Sequence, residues 1–307
     1  MPTFTNKVAV VVPTKDRPRD LARMLGSVAS QSHLPDQIII VDGGDETVED
    51  VVSKFPAMNI QYLRVYPPSL SRQRNAGMEA VDPSMTLAGY LDDDLVLESG
   101  AMETMLAFWE KAPPDVGGAR FNIVNEEIPR GIRIKSLFAI ESQQRGIVLH
   151  SGYQTSIGPA SENRYARWLS GGVTLWRRQV IEKFSYDEWF QGTGYLEDVD
   201  YSYRVGKKYT LVVVANARVQ HLSYPVRKER NYLLGKWQAI NRMYFVKKNP
   251  EFSVPLFYWA TLGQIMVNAG KSMAEWDSAG LRRALGNTVG LLKVITGRAE
   301  RTGGILK

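Results

Sequence analysis

Apolar residues in the first third of this chain gather into short unbroken runs separated by stretches of helical spacing. Residues 8–12 form one run, closed by Pro13-Thr14, and residues 38–41 and 87–91 repeat the form; residues 60–65, interrupted by Gln61 and Arg64, are read as another such strand. Runs without polar alternation predict strands buried on both faces. After the first run, Leu21, Leu25 and Val28 share one helical face behind Pro18, a residue suited to a first helical turn. Further helices are predicted near residues 47–54 and 75–80. Alternating strand and helix gives an α/β fold, a mostly parallel sheet flanked by helices. Ligands in such sheets bind beyond the carboxyl ends of the strands. Thr14 to Asp16, Asp42 to Asp45 and Asp92 to Asp94 each follow a predicted strand, so all three clusters should share one sheet edge.

The pattern is weaker over residues 118–168, where residues 151–161 read as a Gly/Ser-containing loop. Residues 173–176 and 210–215 predict further strands, and 197–207 a helix. After Pro225 the chain turns to long helices, with one apolar stripe at Leu233, Trp237, Ile240 and Tyr244 and another at Leu285, Val289, Leu292 and Ile295. Residues 254–269 are the most hydrophobic, but Pro255, Gln264 and Asn268 interrupt them, short of the roughly 20 apolar residues a membrane span requires. A packed or interfacial helix is expected there. The domain reading is an α/β catalytic domain over residues 1–225 and a helical extension over 226–307.

Composition changes this picture little, and charge changes it more. At 307 residues, 44% hydrophobic and 23% charged, the chain has ample capacity for a packed core. It has no cysteine, which excludes disulfide and thiolate-metal chemistry. The polar start, with no apolar leader core, makes the cytoplasm the expected location, with the inner face of the membrane as the place of any lipid contact. The net charge of +6 is uneven: residues 226–307 hold 14 Lys+Arg against 5 Asp+Glu, a net +9, and the remainder nets −3. Nucleic acid, an anionic membrane and a soluble helical tail are all compatible with such an imbalance. No recognition motif supports nucleic acid.

Three successive carboxylates, Asp92-Asp93-Asp94, repel one another unless a cation or basic group neutralises them. Mg²⁺ and Mn²⁺ prefer oxygen ligands and share their shell with substrate phosphates. A solvated acidic turn before a helix accounts for the same run. A second cluster, Glu197-Asp198-Val199-Asp200, opens a predicted helix, where acids also complement the helix dipole. Asp42 has two readings, ligand contact or acceptor in a Gly-rich turn, as does Asn75, ligand contact or helix N-cap. Arg72 and Arg74 face a ligand or pair with Glu79 or Asp82.

Val10-Val11-Val12-Pro13-Thr14-Lys15-Asp16-Arg17, Ile39-Ile40-Val41-Asp42-Gly43-Gly44, Ser71-Arg72-Gln73-Arg74-Asn75-Ala76-Gly77 and Tyr90-Leu91-Asp92-Asp93-Asp94 stand in order, followed by Gly194-Tyr195-Leu196-Glu197-Asp198. In that order and spacing the chain, from about Lys7 to His221, resembles the family 2 glycosyltransferases. The resemblance implies a GT-A (Rossmann-like) fold and inverting transfer of a sugar from a nucleoside-diphosphate sugar to an acceptor hydroxyl, in cell-surface glycan or polysaccharide synthesis. It implies that Pro13, Thr14, Asp16, Arg17, Asp42, Arg72, Arg74, Asn75, Asp92 and Asp93 bind the nucleotide-sugar, and that Gly171 and Gly172 bring backbone close to the donor sugar or acceptor. Asp92 and Asp94 match the outer positions of a DxD motif, so Asp94, Asp92 and His221 are the expected metal ligands, for Mn²⁺ or Mg²⁺. Asp198 matches the family's general base, with Glu197 as its alternative or orienter. Relatives that use lipid-linked acceptors give the basic helices a use, peripheral contact with an anionic membrane, although packing in a homo-oligomer would produce the same pattern.

The nearest enzymatic rival, a nucleotide-sugar-forming nucleotidyltransferase, would carry a Gly-rich phosphate loop after its first strand, where Pro13-Thr14-Lys15-Asp16 stands instead. A noncatalytic nucleotide-sugar-binding protein would not need both carboxylate clusters.

Overall fold

The computed structural model describes residues 3–192, 194–222 and 230–299. The expected domain boundary at 225 and the basic residue Arg301 lie outside the described residues. In chain order the elements are β1 (Val8–Thr14), α1 (Pro18–Ala29), β2 (Gln37–Asp42), α2 (Glu49–Val52), β3 (Ile60–Arg64), α3 (Leu70–Glu79), β4 (Leu87–Leu91), β5 (Leu95–Leu97), α4 (Ala101–Lys111) and β6 (Val116–Ile123). There follow α5 (Ile132–Leu137), β7 (Arg164–Ala166), β8 (Val173–Arg177), α6 (Arg178–Ile181), α7 (Glu197–Gly206), β9 (Thr210–His221), α8 (Arg230–Lys248), α9 (Val254–Glu275) and α10 (Ser278–Ile295).

The chain divides into two compact units. Residues 128–157 and 189–196 group with the C-terminal helices.

Among the described residues the first unit holds a sheet of nine strands in the order β3-β2-β1-β4-β8-β6-β9-β5, with β7 on β9. β3, β2, β1 and β4 run parallel, as the strand-helix alternation predicts. The far half is mixed: β8 runs antiparallel to β4 and β6, and β5 and β7 antiparallel to β9. The α/β class and the GT-A expectation hold, with parallel pairing confined to β3 through β4 and to β6/β9. The core lies between the sheet and α1 and α4, where Val8, Val10, Val12, Leu21, Leu25, Ile38 and Ile40 are fully enclosed.

Three elements differ from the pattern reading. Strand β3, expected to be buried on both faces, is only half-buried, with Gln61 and Arg64 exposed. Helix α3 begins at Leu70, so Asn75 sits in its middle and does not cap it. Its buried residues are Ser71, Gln73, Arg74 and Gly77, which carry no apolar periodicity. Strand β6 was unmarked because Gly117, Gly118, Arg120 and Asn122 break its apolar run, yet all eight of its residues are buried. Gly118 is required there: a Cβ would lie 2.3 Å from the Trp176 ring.

In the second unit, α8 and α10 meet through small residues. A Cβ on Gly286 would lie 2.0 Å from the Tyr232 carbonyl, and one on Gly235 2.1 Å from that of Arg283. This seam, with Ala284, Gly290 and Leu291, is the buried face of α10. The predicted stripe lies elsewhere: Leu285, Leu292 and Ile295 are 58%, 55% and 59% exposed. On α9, Trp259, Leu262, Met266 and Met273 are exposed too. No described helix is long and apolar enough to cross a membrane.

Candidate active site

The three polar clusters do share one edge of the sheet. β1 and β2 run in register to their last residues, Thr14 opposite Asp42, and Gln73 of α3 donates to the carbonyls of Thr14 and Val41, at 2.9 Å each. Asp42 is fully buried, with Oδ1 accepting from Gly44 N (2.7 Å) and Oδ2 from Val48 N (3.2 Å) and the Tyr62 hydroxyl (2.7 Å). These bonds hold the Gly-rich turn. Asp16, at φ 53, likewise accepts from Asp45 N, and Pro13 is buried inside β1.

The acidic run divides by residue. Asp93 points inward, accepts from the Thr14 hydroxyl at 2.7 Å and meets Arg17 at 3.1 Å. Burial pushes it up to about 7 in spite of these partners. Asp93, Thr14 and Arg17, expected to bind the nucleotide-sugar, thus bind one another. Asp94 Oδ2 also meets Arg17 at 3.1 Å, and Oδ1 lies 3.1 Å from His221 Nε2. The β5/β9 pairing makes this contact by setting His221 opposite Leu95, while Asn125 holds the His221 backbone from both sides. Burial opposes the charge of Asp94, but His221 and Arg17 keep it below the usual carboxylate range.

Asp92 turns the other way, toward α7. Buried Arg74 bridges Asp92 Oδ1 at 3.1 Å and Glu197 Oε1 at 2.8 Å, against the rings of Tyr90 and Tyr186. Asp198 is half-buried beside this pair, accepting from Gly171 N at 3.3 Å and Val199 N at 2.8 Å. Desolvation raises Glu197 well above its ordinary value, reinforced by Asp198 and opposed by Arg74; Asp198 is raised by burial and likewise restrained by Arg74. Gly171 and Gly172 make room for this cluster. A Cβ would lie 2.4 Å from Arg74 Nη1 at the first and 1.8 Å from Asp92 Oδ2 at the second, so the missing side chains let Arg74 and Asp92 approach the backbone.

Other expected residues lie apart. Arg72 is partly exposed and makes a 3.8 Å pair with Glu188, not with Glu79 or Asp82. The Asn75 amide exchanges hydrogen bonds with the Tyr186 backbone at 3.0 and 2.8 Å. Pattern reading missed Gln73, Tyr186 and Arg120. Arg120 is fully buried on β6, bound to Ser170 and Glu126 with Nη1 unpartnered. A lone polar residue shows its role only once the strands around it are placed.

Among the described residues, no three His, Asp or Glu side chains already form a metal cage. The donor set nevertheless suits a divalent ion that shares its shell with a diphosphate, as Mg²⁺ does when held by one or two protein carboxylates. Asp94 Oδ1 is a buried oxygen that accepts no aligned hydrogen bond, and a histidine stands next to it.

Residues 9–183 match the family model described as Glycosyl transferase family 2. A protein named uncharacterized glycosyltransferase YwdF, from Bacillus subtilis (strain 168), is 26% identical over 185 residues, 59% of this chain and 66% of that protein, just under two thirds of its length. Among solved structures, the mannosyltransferase PcManGT from Pyrobaculum calidifontis, in complex with GDP-Man and Mn²⁺, superposes with a TM-score of 0.59 at 12% identity, over 95% of this chain and 88% of that one. S. aureus TarS 1-349 in complex with UDP gives 0.52 at 11% identity, over 95% and 92%. At these identities the structural likeness bears on the fold alone.

Proposed function

The chain belongs to glycosyl transferase family 2, and from that premise we propose that it is an inverting enzyme, moving a sugar from a nucleoside-diphosphate sugar to an acceptor hydroxyl. The observation that carries this reading is the position of Arg74, which ties Asp92 at the end of β4 to Glu197 at the start of α7, with Asp198 beside it. One acidic set then serves the leaving group and the other the nucleophile, the two ends of a single displacement.

In this account Asp198 takes the proton from the acceptor hydroxyl as its oxygen attacks the anomeric carbon and the nucleoside diphosphate departs from the opposite face. Glu197 and Arg74 fix the orientation of Asp198 and the charge around it. Asp94 and His221 are the residues that would hold a divalent ion, with Asp92 joining them only if it turned from Arg74; the ion's chemistry is to offset charge on the departing diphosphate. The GDP-Man and Mn²⁺ of the Pyrobaculum complex support a donor and metal of this class. The acceptor is proposed to be a glycan or a lipid-linked glycan used in cell-surface polysaccharide synthesis. The exposed apolar faces of α9 and α10, on the basic part of the chain, favour peripheral contact with an anionic lipid surface.

Asp198→Asn tests the reading. Donor binding measured by calorimetry with Mn²⁺ should persist while transfer falls by about 10²–10⁴-fold, the usual worth of general-base catalysis. Unchanged turnover would remove Asp198 from the reaction.

A further inference from the structure

The helical unit has a polar cleft of its own, about 530 Å³ in volume, with Arg242, Arg283, Gln154, Gln264, Asn268 and Tyr153 in its wall. Arg242 is 2% exposed. Its Nη1 donates to the Gly152 carbonyl at 2.5 Å and to Gln154 Oε1 at 3.0 Å, its Nη2 to the Tyr195 hydroxyl at 3.3 Å, and its plane lies 3.8 Å from the centre of the Tyr153 ring. Every one of these partners is neutral, and the buried Nε has none. Arg283 Nε is also buried without an acceptor, and desolvation lowers its pKa.

The acids on the same wall are engaged elsewhere. Glu141 accepts from the backbone N–H groups of Ser142 and Ser156. Glu275 pairs with Lys271, and Asp277 accepts from Ala279 N to cap α10. Among the described residues neither Arg242 nor Arg283 forms an ion pair. Buried charges are ordinarily paired, so two guanidiniums on one cleft, neither in an ion pair with the carboxylates of its wall, point to an anion from outside the chain.

We propose that this cleft binds an anionic saccharide, a sugar carrying a phosphate or a carboxylate. The guanidinium fork suits either oxyanion, because both accept paired N–H donors. Gln154 accepts from Arg242, and Gln264 donates to Asn268 at 3.0 Å; each amide keeps further donor and acceptor capacity for hydroxyls. The inference goes beyond glycosyl transfer and stands on the helical unit alone.

The test is calorimetry on the full chain in metal-free buffer, with glucose 1-phosphate, glucuronate and glucose as probes. At least one anionic probe is expected to bind and glucose is not; which of the two binds identifies the oxyanion. Arg283→Gln should weaken the anionic probe by at least about tenfold, the worth of a lost charge-assisted hydrogen bond. The same variant should keep its affinity for a nucleoside diphosphate with Mn²⁺, which reports an intact fold. Arg283 is the informative position, because the side chain of Arg242 holds several backbone and side-chain partners and its loss endangers folding. The proposal is overturned if neither anionic probe binds, if glucose binds as well as they do, or if Arg283→Gln binds like the parent chain.

Discussion

In the proposed reaction, acid-base behaviour comes down to two side chains, Asp198 and Arg74. A carboxylate base must be ionised to work, and burial raises Asp198 above its ordinary value while Arg74 restrains the rise. Activity should therefore fall as pH drops through that raised pKa, in a range above that of a solvated aspartate. Removing the restraint in Arg74→Gln should carry the acidic limb of kcat/KM to higher pH; a limb that stays in place would show that Arg74 does not act on the base. Gly172 offers a second test. A methyl group there would meet Asp92 Oδ2 at 1.8 Å, so Gly172→Ala should displace Asp92 from Arg74. Overpacking of this kind costs about 1–3 kcal/mol, which chemical denaturation would read, and a measurable loss of donor affinity should accompany it.

Among the elements, those built from unbroken apolar runs were the legible ones. β1, β2 and β4 were readable because both faces of each are buried, and the acids at their ends showed where a ligand edge would form. Helix α3 was half read because its buried face is polar, and β6 was unread because glycines and Arg120 stand where a strand shows valines. The stripe on α10 was legible as apolar, but its exposure was not, since glycines elsewhere on that helix take the seam with α8. In the site, Asp92, Asp94, Glu197 and Asp198 were visible as acids next to elements, whereas the turn-holding bonds of Asp42 and the role of Gln73 depend on which loops fold over them. Gln73 joins the ends of β1 and β2. Gln73→Leu should leave two buried carbonyls short of a donor and cost about 1–3 kcal/mol, seen as a lower urea midpoint with an unchanged slope.

At the scale of the whole molecule, charge and exposed apolar surface coincide. The net +9 of residues 226–307 and the solvent-facing Leu285, Leu292 and Ile295 fall on the same part of the chain. Vesicles containing anionic lipid should bind the protein at low salt, and Leu285→Glu with Leu292→Glu should abolish sedimentation with them; binding that survives both changes would place the contact elsewhere. The central claim is glycosyl transfer with Asp198 as base. It is tested most directly by nucleoside diphosphate release from a panel of nucleoside-diphosphate sugars with Mn²⁺ and a glycan acceptor, comparing the parent chain with Asp198→Asn. The expected result is release from at least one donor by the parent chain, and release about 10²–10⁴-fold slower from a variant that still binds that donor. Equal release by both proteins, or no donor bound by either, would contradict the account.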